Sequence, residues 1–266
     1  MKFGCTKSVW CVFSIAVLVA VSAKGDLVGR WSFDEGSGTT ATDSSGSGYS
    51  GTITGAAYVA GQVGSGALSF DGLDDHVDVG YHAPLALAGS NYTVAWWMNR
   101  STDVTTANFR IINMDDGSDQ SGGYSFLLGG GNSLALSHAN GSNNQVNTGY
   151  APPQNAWAHV AVVYGGLGIG RTLYVDGFPL ANYDINGTPI LDDGDDPLWF
   201  GGMPVHGQYW AGALDDIQIY DQALSGAEVG IVKNGGAIPE PTAVVLLISG
   251  VAGLICTNWR PHSKRL

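Results

Sequence analysis

The stretch Gly212-Ala213-Leu214-Asp215-Asp216-Ile217-Gln218-Ile219-Tyr220-Asp221 carries the pattern that decides the fold class. Ile217 and Ile219 flank polar Gln218 with period 2, the spacing of a strand that buries one face. The same alternation places Asp215 on the isoleucine face, at the strand's start. A carboxylate buried there is costly without a partner. Two partners remain open: backbone N–H groups of a turn, or a Ca²⁺ ion, because hard cations take carboxylate and carbonyl oxygens.

Similar signals extend outward from this segment. Tyr124–Leu128, the glycine turn Gly129-Gly130-Gly131-Asn132 and Leu134-Ala135-Leu136 read as two strands of a hairpin. Asn91–Met98 and Trp157–Tyr164 are apolar on both faces, as central strands are. Arg171–Val175 runs into Asp176-Gly177, a turn dipeptide. One helix is expected, over Ser225–Lys233, with Ser225 as cap and Glu228 three residues on. Many short strands with turns between them predict an all-β, two-sheet antiparallel sandwich.

Composition agrees. Of 266 residues, 40 are glycine, and Asp supplies 20 of the 23 acids. Asp favours turns and caps where Glu favours helices. Residues 24–238 hold 6 of the 11 basic and 22 of the 23 acidic side chains, a charge of −16. So acidic a body is a poor nucleic-acid binder, which needs cations to displace counterions. Cys5, Cys11 and Cys256 all lie outside this body, which therefore has no disulfide.

The two ends read as addresses. Residues 1–23 carry Lys2 and Lys7, an apolar run from Val9 to Val21, and Val21-Ser22-Ala23, the layout of a secretory signal peptide. At the other end Pro239-Glu240-Pro241 precedes an uncharged stretch, 242–259, and a basic tail, 260–266. Eighteen residues of helix reach about 27 Å, just enough to span a bilayer, with the basic end cytoplasmic. Motif, span and tail together resemble the PEP-CTERM sorting signal of Gram-negative bacteria. The resemblance implies a precursor anchored in the inner membrane, an exosortase-type processing enzyme as partner, and delivery to the cell envelope, surface or extracellular matrix. The expected division is 1–23 signal peptide, 24–236 domain, and 237–266 sorting signal with a transmembrane helix.

The body carries a second resemblance. Trp31-Ser32-Phe33-Asp34-Glu35-Gly36-Ser37-Gly38 and Asp43-Ser44-Ser45-Gly46 open it, and Gly64–Val79 follows. Thr93-Val94-Ala95-Trp96-Trp97, Trp157-Ala158-His159-Val160-Ala161, Leu173-Tyr174-Val175-Asp176-Gly177 and Gly212–Asp221 complete it in order. The series, over about residues 26–232, resembles the laminin-G-like (LamG) branch of the concanavalin A-like lectins and glucanases. That implies a jelly roll whose first and last strands are neighbours in one sheet. It also implies a structural calcium tying those strands together, with Asp43 and Asp215 as side-chain ligands and a backbone carbonyl near Phe33–Asp34. Asp71-Gly72-Leu73-Asp74-Asp75 is an expected solvated turn with a second, rim-type calcium site as the alternative reading. Trp31, Phe33, Trp97, Trp157 and Trp210 fall at family positions that pack between the sheets. Loop aromatics free to stack on sugars are Tyr81, His82, Tyr150, Trp199 and Tyr209.

No catalytic residue is assigned. Sandwich glycosidases place two acids close together on one strand, whereas Glu35 and Glu228 lie at opposite ends of the body. There is no Gly-x-Ser-x-Gly elbow and no His-Glu-x-x-His, and His159 reads as packed. The expectation is an exported, non-catalytic module that binds an extracellular polysaccharide or a surface glycan or glycoprotein. The rivals are a matrix protein without a specific ligand and a divergent glycan hydrolase or lyase.

Overall fold

Alternating apolar and polar residues fold into strands along nearly the whole body. The computed structural model describes residues 27–89, 91–101, 109–115, 122–138, 145–166, 168–183, 190–192 and 194–238. In chain order the strands are β1 (Leu27–Trp31), β2 (Thr40–Ala41), β3 (Gly51–Thr54), β4 (Ala57–Val59), β5 (Ala67–Asp71) and β6 (His76–Gly80). Next come β7 (Tyr92–Arg100), β8 (Phe109–Met114), β9 (Tyr124–Leu128), β10 (Leu134–His138), β11 (Val146–Asn147) and β12 (Trp157–Tyr164). The series closes with β13 (Arg171–Val175), β14 (Phe178–Tyr183), β15 (Leu198–Phe200), β16 (Gly202–Met203), β17 (Gln208–Tyr209), β18 (Ala211–Tyr220) and the helix α1 (Gly226–Lys233).

Two antiparallel sheets face each other, as the jelly-roll reading expects. Sheet A runs β14-β13-β12-β7-β18-β5-β4, with β1 also on β18; sheet B runs β11-β10-β9-β8-β15-β6-β3-β2. The first and last strands are therefore neighbours. Contacts gather residues 25–239 into one unit. The expected signal peptide 1–23, the motif Pro239-Glu240-Pro241 and the expected span 242–259 lie outside the described residues. Among the described residues no helix is long and apolar enough to cross a membrane.

The core fills the space between the sheets. Trp31 of β1 meets Phe200 of β15 edge to face with ring centroids 4.8 Å apart. Trp96 of β7 stacks on Phe126 of β9 at 5.2 Å. Phe33 and Trp210 are buried here too. Trp97 and Trp157 are not between the sheets, contrary to the family expectation. Val94, Trp96 and Met98 take the inner face of β7, and Val160, Val162 and Tyr164 that of β12. Period 2 then turns Trp97, Trp157 and His159 to the outer face.

That outer face of sheet A is covered. Val229 and Val232 of α1 pack on Ala95, Ala161, Val163, Tyr220 and Leu224 as a second apolar cluster. The helix starts as the sequence foretells, with Ser225 and Glu228 in a reciprocal capping box. It ends on Trp97, whose indole Nε1 donates to the Lys233 carbonyl at 2.9 Å. His159 lies against Trp97 with ring centroids 5.3 Å apart, and burial pushes its pKa down to about 3. It is a neutral packing residue at physiological pH. The Asp176-Gly177 turn between β13 and β14 has both residues at positive φ, 51° and 86°, as a type I′ hairpin turn requires.

Truncating Trp31 to Ala empties a fully buried site between the sheets, with an expected cost of about 3–5 kcal/mol. Ser225→Ala, which removes only the cap, costs about 1 kcal/mol. Urea unfolding monitored by tryptophan fluorescence should rank them in that order.

Candidate functional site

Two regions concentrate polar side chains: the middle of β18 and the outer face of sheet B. In β18, Leu214 and Ile217 both reach the core, so strict alternation breaks between them. The register against β7 slips between Asp215 and Gln218, and Asp216 adopts a left-handed conformation at φ 43°. This β-bulge corrects the expectation that Asp215 shares the isoleucine face. Three residue steps on β18, from Asp215 to Gln218, face two on β7, from Trp97 to Ala95.

The bulge sits at a handover. Along one edge of β18, Ala211–Leu214 pair with β5 and Ile217–Tyr220 pair with β1. Each aspartate in the gap secures one of the two segments. Asp215 Oδ2 accepts the backbone N–H groups of Gln62 and Val63, at 2.7 and 2.8 Å, in the loop leading to β5. Asp216 Oδ1 accepts from Arg30 Nε of β1 at 2.8 Å, and its Oδ2 accepts from Gln218 Nε2 at 2.9 Å. Arg30 Nη2 reaches on to the Gly235 carbonyl after α1, and the Tyr220 hydroxyl donates to Gln218 Oε1. Burial raises the Asp216 pKa and the Arg30 charge pulls it back; the net shift is upward.

Asp215 Oδ1 is buried without a hydrogen-bond partner. Burial pushes this carboxyl up to about 6 in spite of the Val63 and Gln62 N–H bonds. Backbone carbonyls crowd the same loop. A methyl group on Gly61 would collide with the Gly66 carbonyl and lie 3.0 Å from Asp215 Oδ2, and one on Gly66 would collide with the Phe33 carbonyl. An orphaned carboxylate oxygen beside a loop where carbonyls crowd fits a hard cation. Asp43 stands on another loop and holds a different turn. Its oxygens accept the N–H groups of Arg30, Ser45 and Tyr49 at 3.0, 2.9 and 2.9 Å. Burial alone would raise its pKa, but these bonds leave it below the usual carboxylate value. Asp71, Asp74 and Asp75 bring their carboxylates within 4.8 Å of one another, with Asp75 Oδ2 already accepting the Asp71 N–H.

The outer face of sheet B carries a continuous polar row. Inter-strand registers align Ser137, Ser125, Asn113, Trp199, Asp78, Thr52 and Thr40 across seven strands. Their flanking residues, such as Leu136, Phe126, Ile112, Phe200, Val77, Ile53 and Ala41, lie in the core, which turns the row outward. At about 4.8 Å per strand the row is about 29 Å long. Asp78, Thr52 and Thr40 are exposed; Ser137, Ser125, Asn113 and Trp199 are nearly covered. Half-buried Arg110 lies over that covered end, donating to Ser125 and Asn113 and, from Nε, to Gln208 of β17. The row contains one carboxylate, Asp78, and so no acid pair of the glycosidase kind.

Trp199 is thus a strand residue at the centre of the row, not a loop aromatic. Tyr209 too is a strand residue, on β17, and it and the loop aromatics scatter among separate neighbours. Tyr81 donates to Asp192 at 3.0 Å, His82 stacks on Tyr49 at 4.3 Å, Tyr150 packs on the core, and Tyr209 leans on His76 at 6.4 Å.

The family model Laminin_G_3, described as the concanavalin A-like lectin/glucanases superfamily, matches residues 70–230. The chain belongs to that superfamily. Among solved structures, this laminin-G-like domain resembles domain 4 of AbnA, a GH43 extracellular arabinanase from Geobacillus stearothermophilus, in complex with arabinotriose. The TM-score is 0.61 at 19% identity, over 79% of this chain and 98% of that one. It also resembles the binding domain of Paraclostridial Mosquitocidal Protein 1, with TM-score 0.63 and 19% identity over 79% of this chain and 52% of the other. A Trypanosoma rangeli sialidase in complex with the inhibitor DANA matches with TM-score 0.57 and 16% identity, over 78% of this chain and 32% of its own. No curated protein matches in sequence.

Removing Asp216 leaves the partly buried Arg30 guanidinium without its carboxylate and opens the handover. Asp216→Ala should cost about 3–5 kcal/mol in urea unfolding. Asp78→Ala, on the exposed end of the row, should stay within about 0.5 kcal/mol of wild type.

Proposed function

We propose that the domain is an exported, non-catalytic binding module whose ligand is a polysaccharide or surface glycan laid across the outer face of sheet B. The observation that carries this reading is the row from Ser137 to Thr40, a line of hydroxyl, amide and carboxylate groups interrupted by one indole. Sugar sites combine hydrogen-bonding side chains with an aromatic surface. The groups of the row open to a ligand are Asp78, Thr52 and Thr40, and half-buried Arg110 lies over the covered end with Trp199 between the two. The glycan-complexed arabinanase domain among the structural neighbours supports the class of ligand. A single carboxylate in the row supports binding without hydrolysis. The detergent-solubilised chain should retain an extracellular polysaccharide in a pull-down and give hits on a glycan array. An array on which no glycan binds refutes the carbohydrate reading and leaves the matrix-protein alternative.

The same reading includes a structural calcium at β18. Asp215 would hold it through its unpartnered Oδ1, with carbonyl oxygens of the Phe33 and Gly66 region as neutral ligands. There an ion would supply positive charge to a carboxylate that otherwise lacks it, and Asp215 and the carbonyls would through it secure the β4–β5 loop to the last strand. Asp43 would add support through the turn it holds against β1. Chelation by EDTA is expected to lower the melting temperature, and added Ca²⁺ to restore it. An unchanged melting temperature rules the ion out.

Export and sorting complete the proposal. The signal peptide 1–23 and the Pro239-Glu240-Pro241 tail, by their sequence alone, would route the chain through the inner membrane to an exosortase-type enzyme and then to the envelope or matrix. Fractionation of cells expressing the chain, with and without the Pro239–Pro241 triplet, tests it. Retention of both forms in the same fraction counts against sorting.

A further inference from the structure

Arg110 is one of six basic residues in a body of charge −16, and its surroundings are unusual for so scarce a charge. Three neutral side-chain oxygens hold the guanidinium in place: Gln208 Oε1 at 2.8 Å from Nε, and Ser125 Oγ at 2.6 Å and Asn113 Oδ1 at 3.5 Å from Nη1. The first anchor comes from β17, the other two from β9 and β8, so the fork is braced from two directions. Its remaining nitrogen, Nη2, has no hydrogen bond among the described residues and is not among the enclosed polar atoms. Arg30 offers the contrast, since its guanidinium is paired with the Asp216 carboxylate. Asp115 acts on Arg110 only through its field, and burial lowers the guanidinium's pKa.

A braced, partly desolvated cation with one open edge is the arrangement that reads a planar anion, because the fork loses little freedom on pairing. The row supplies the rest of a sugar site: Asn113, one of the oxygens bracing Arg110, is the direct register partner of Trp199. The body's overall negative charge weakens diffuse attraction to polyanions. Within a Debye length of about 8 Å, however, the local group decides. We infer that the row reads a glycan containing uronic acid, whose carboxylate pairs with the open edge of Arg110. This rests on the glycan reading above and adds the ligand's charge.

Isothermal titration of the detergent-solubilised full chain with trigalacturonate and with its methyl ester separates charge from shape. The acid is expected to bind about tenfold more tightly than the ester, the gain of one charge-assisted hydrogen bond. Arg110→Met should bring the acid down to the ester's affinity. Gln208→Leu, which keeps the charge but removes a brace, should lose part of the preference and serves if Arg110→Met does not fold. An ester that binds as well as the acid, or a preference that survives Arg110→Met, overturns the inference. Binding of another glycan but neither of these overturns it while sparing the glycan reading; no glycan binding at all removes both.

Discussion

One strand has to serve two partners in succession along a single edge, and the rest of sheet A depends on how β18 does so. Its first four residues pair with β5 and its last four with β1. The pairings are separated by a bulge whose two aspartates point to the two loose ends. Asp215 takes backbone N–H groups from the loop before β5, and Asp216 takes the Arg30 guanidinium from β1. Without those bonds the chain's first strand would be held to its last by a short ladder only. The acidic character of the body is, at this point, a structural device rather than a catalytic one.

The two outer faces are put to different uses. On sheet A, α1 covers Ala95, Ala161 and Val163, and Trp97 and Lys233 close its end. On sheet B Leu127 and Ala135 also face outward, paired with each other beside Arg110, while the row across seven strands is serine, asparagine, aspartate and threonine around Trp199. Covering one face with a helix stabilises the sandwich. Leaving the other polar gives it a surface that hydrogen-bonds without aggregating. Among the described residues Phe178 and Leu180 on β14 are exposed apolar side chains at the edge of sheet A, and Pro179 between them blunts that edge against further pairing.

Much of this was legible in the sequence, and the misses have physical causes. The hairpin at Gly129–Asn132, the Asp176-Gly177 turn, the central strands β7 and β12 and the capped helix all follow from local pattern. So does the buried state of Asp215, although its facing does not. Alternation fails wherever a bulge inserts a residue, and bulges fall at Asp215–Gln218 and again at Arg110–Ile112. The second hides the fact that Arg110 and Asn113, three apart, share a face. Trp199 lies in a three-residue strand too short to show any period. Asp216 carries no local mark of its salt bridge, because Arg30 is 186 positions away. Adjacent Trp96 and Trp97 look alike in sequence, and only the register of β7 sends one inward and the other under the helix.

On the proposed reading the outer face of sheet B, not the loop ends of the sandwich, receives the ligand. Amide chemical-shift mapping of the isotope-labelled chain during titration with a bound oligosaccharide tests it most directly. The largest shifts should follow the row, from Ser137 and Ser125 through Asn113 and Trp199 to Asp78 and Thr52. Shifts confined to Tyr81, His82 and the neighbouring loops, with the row unmoved, would contradict it.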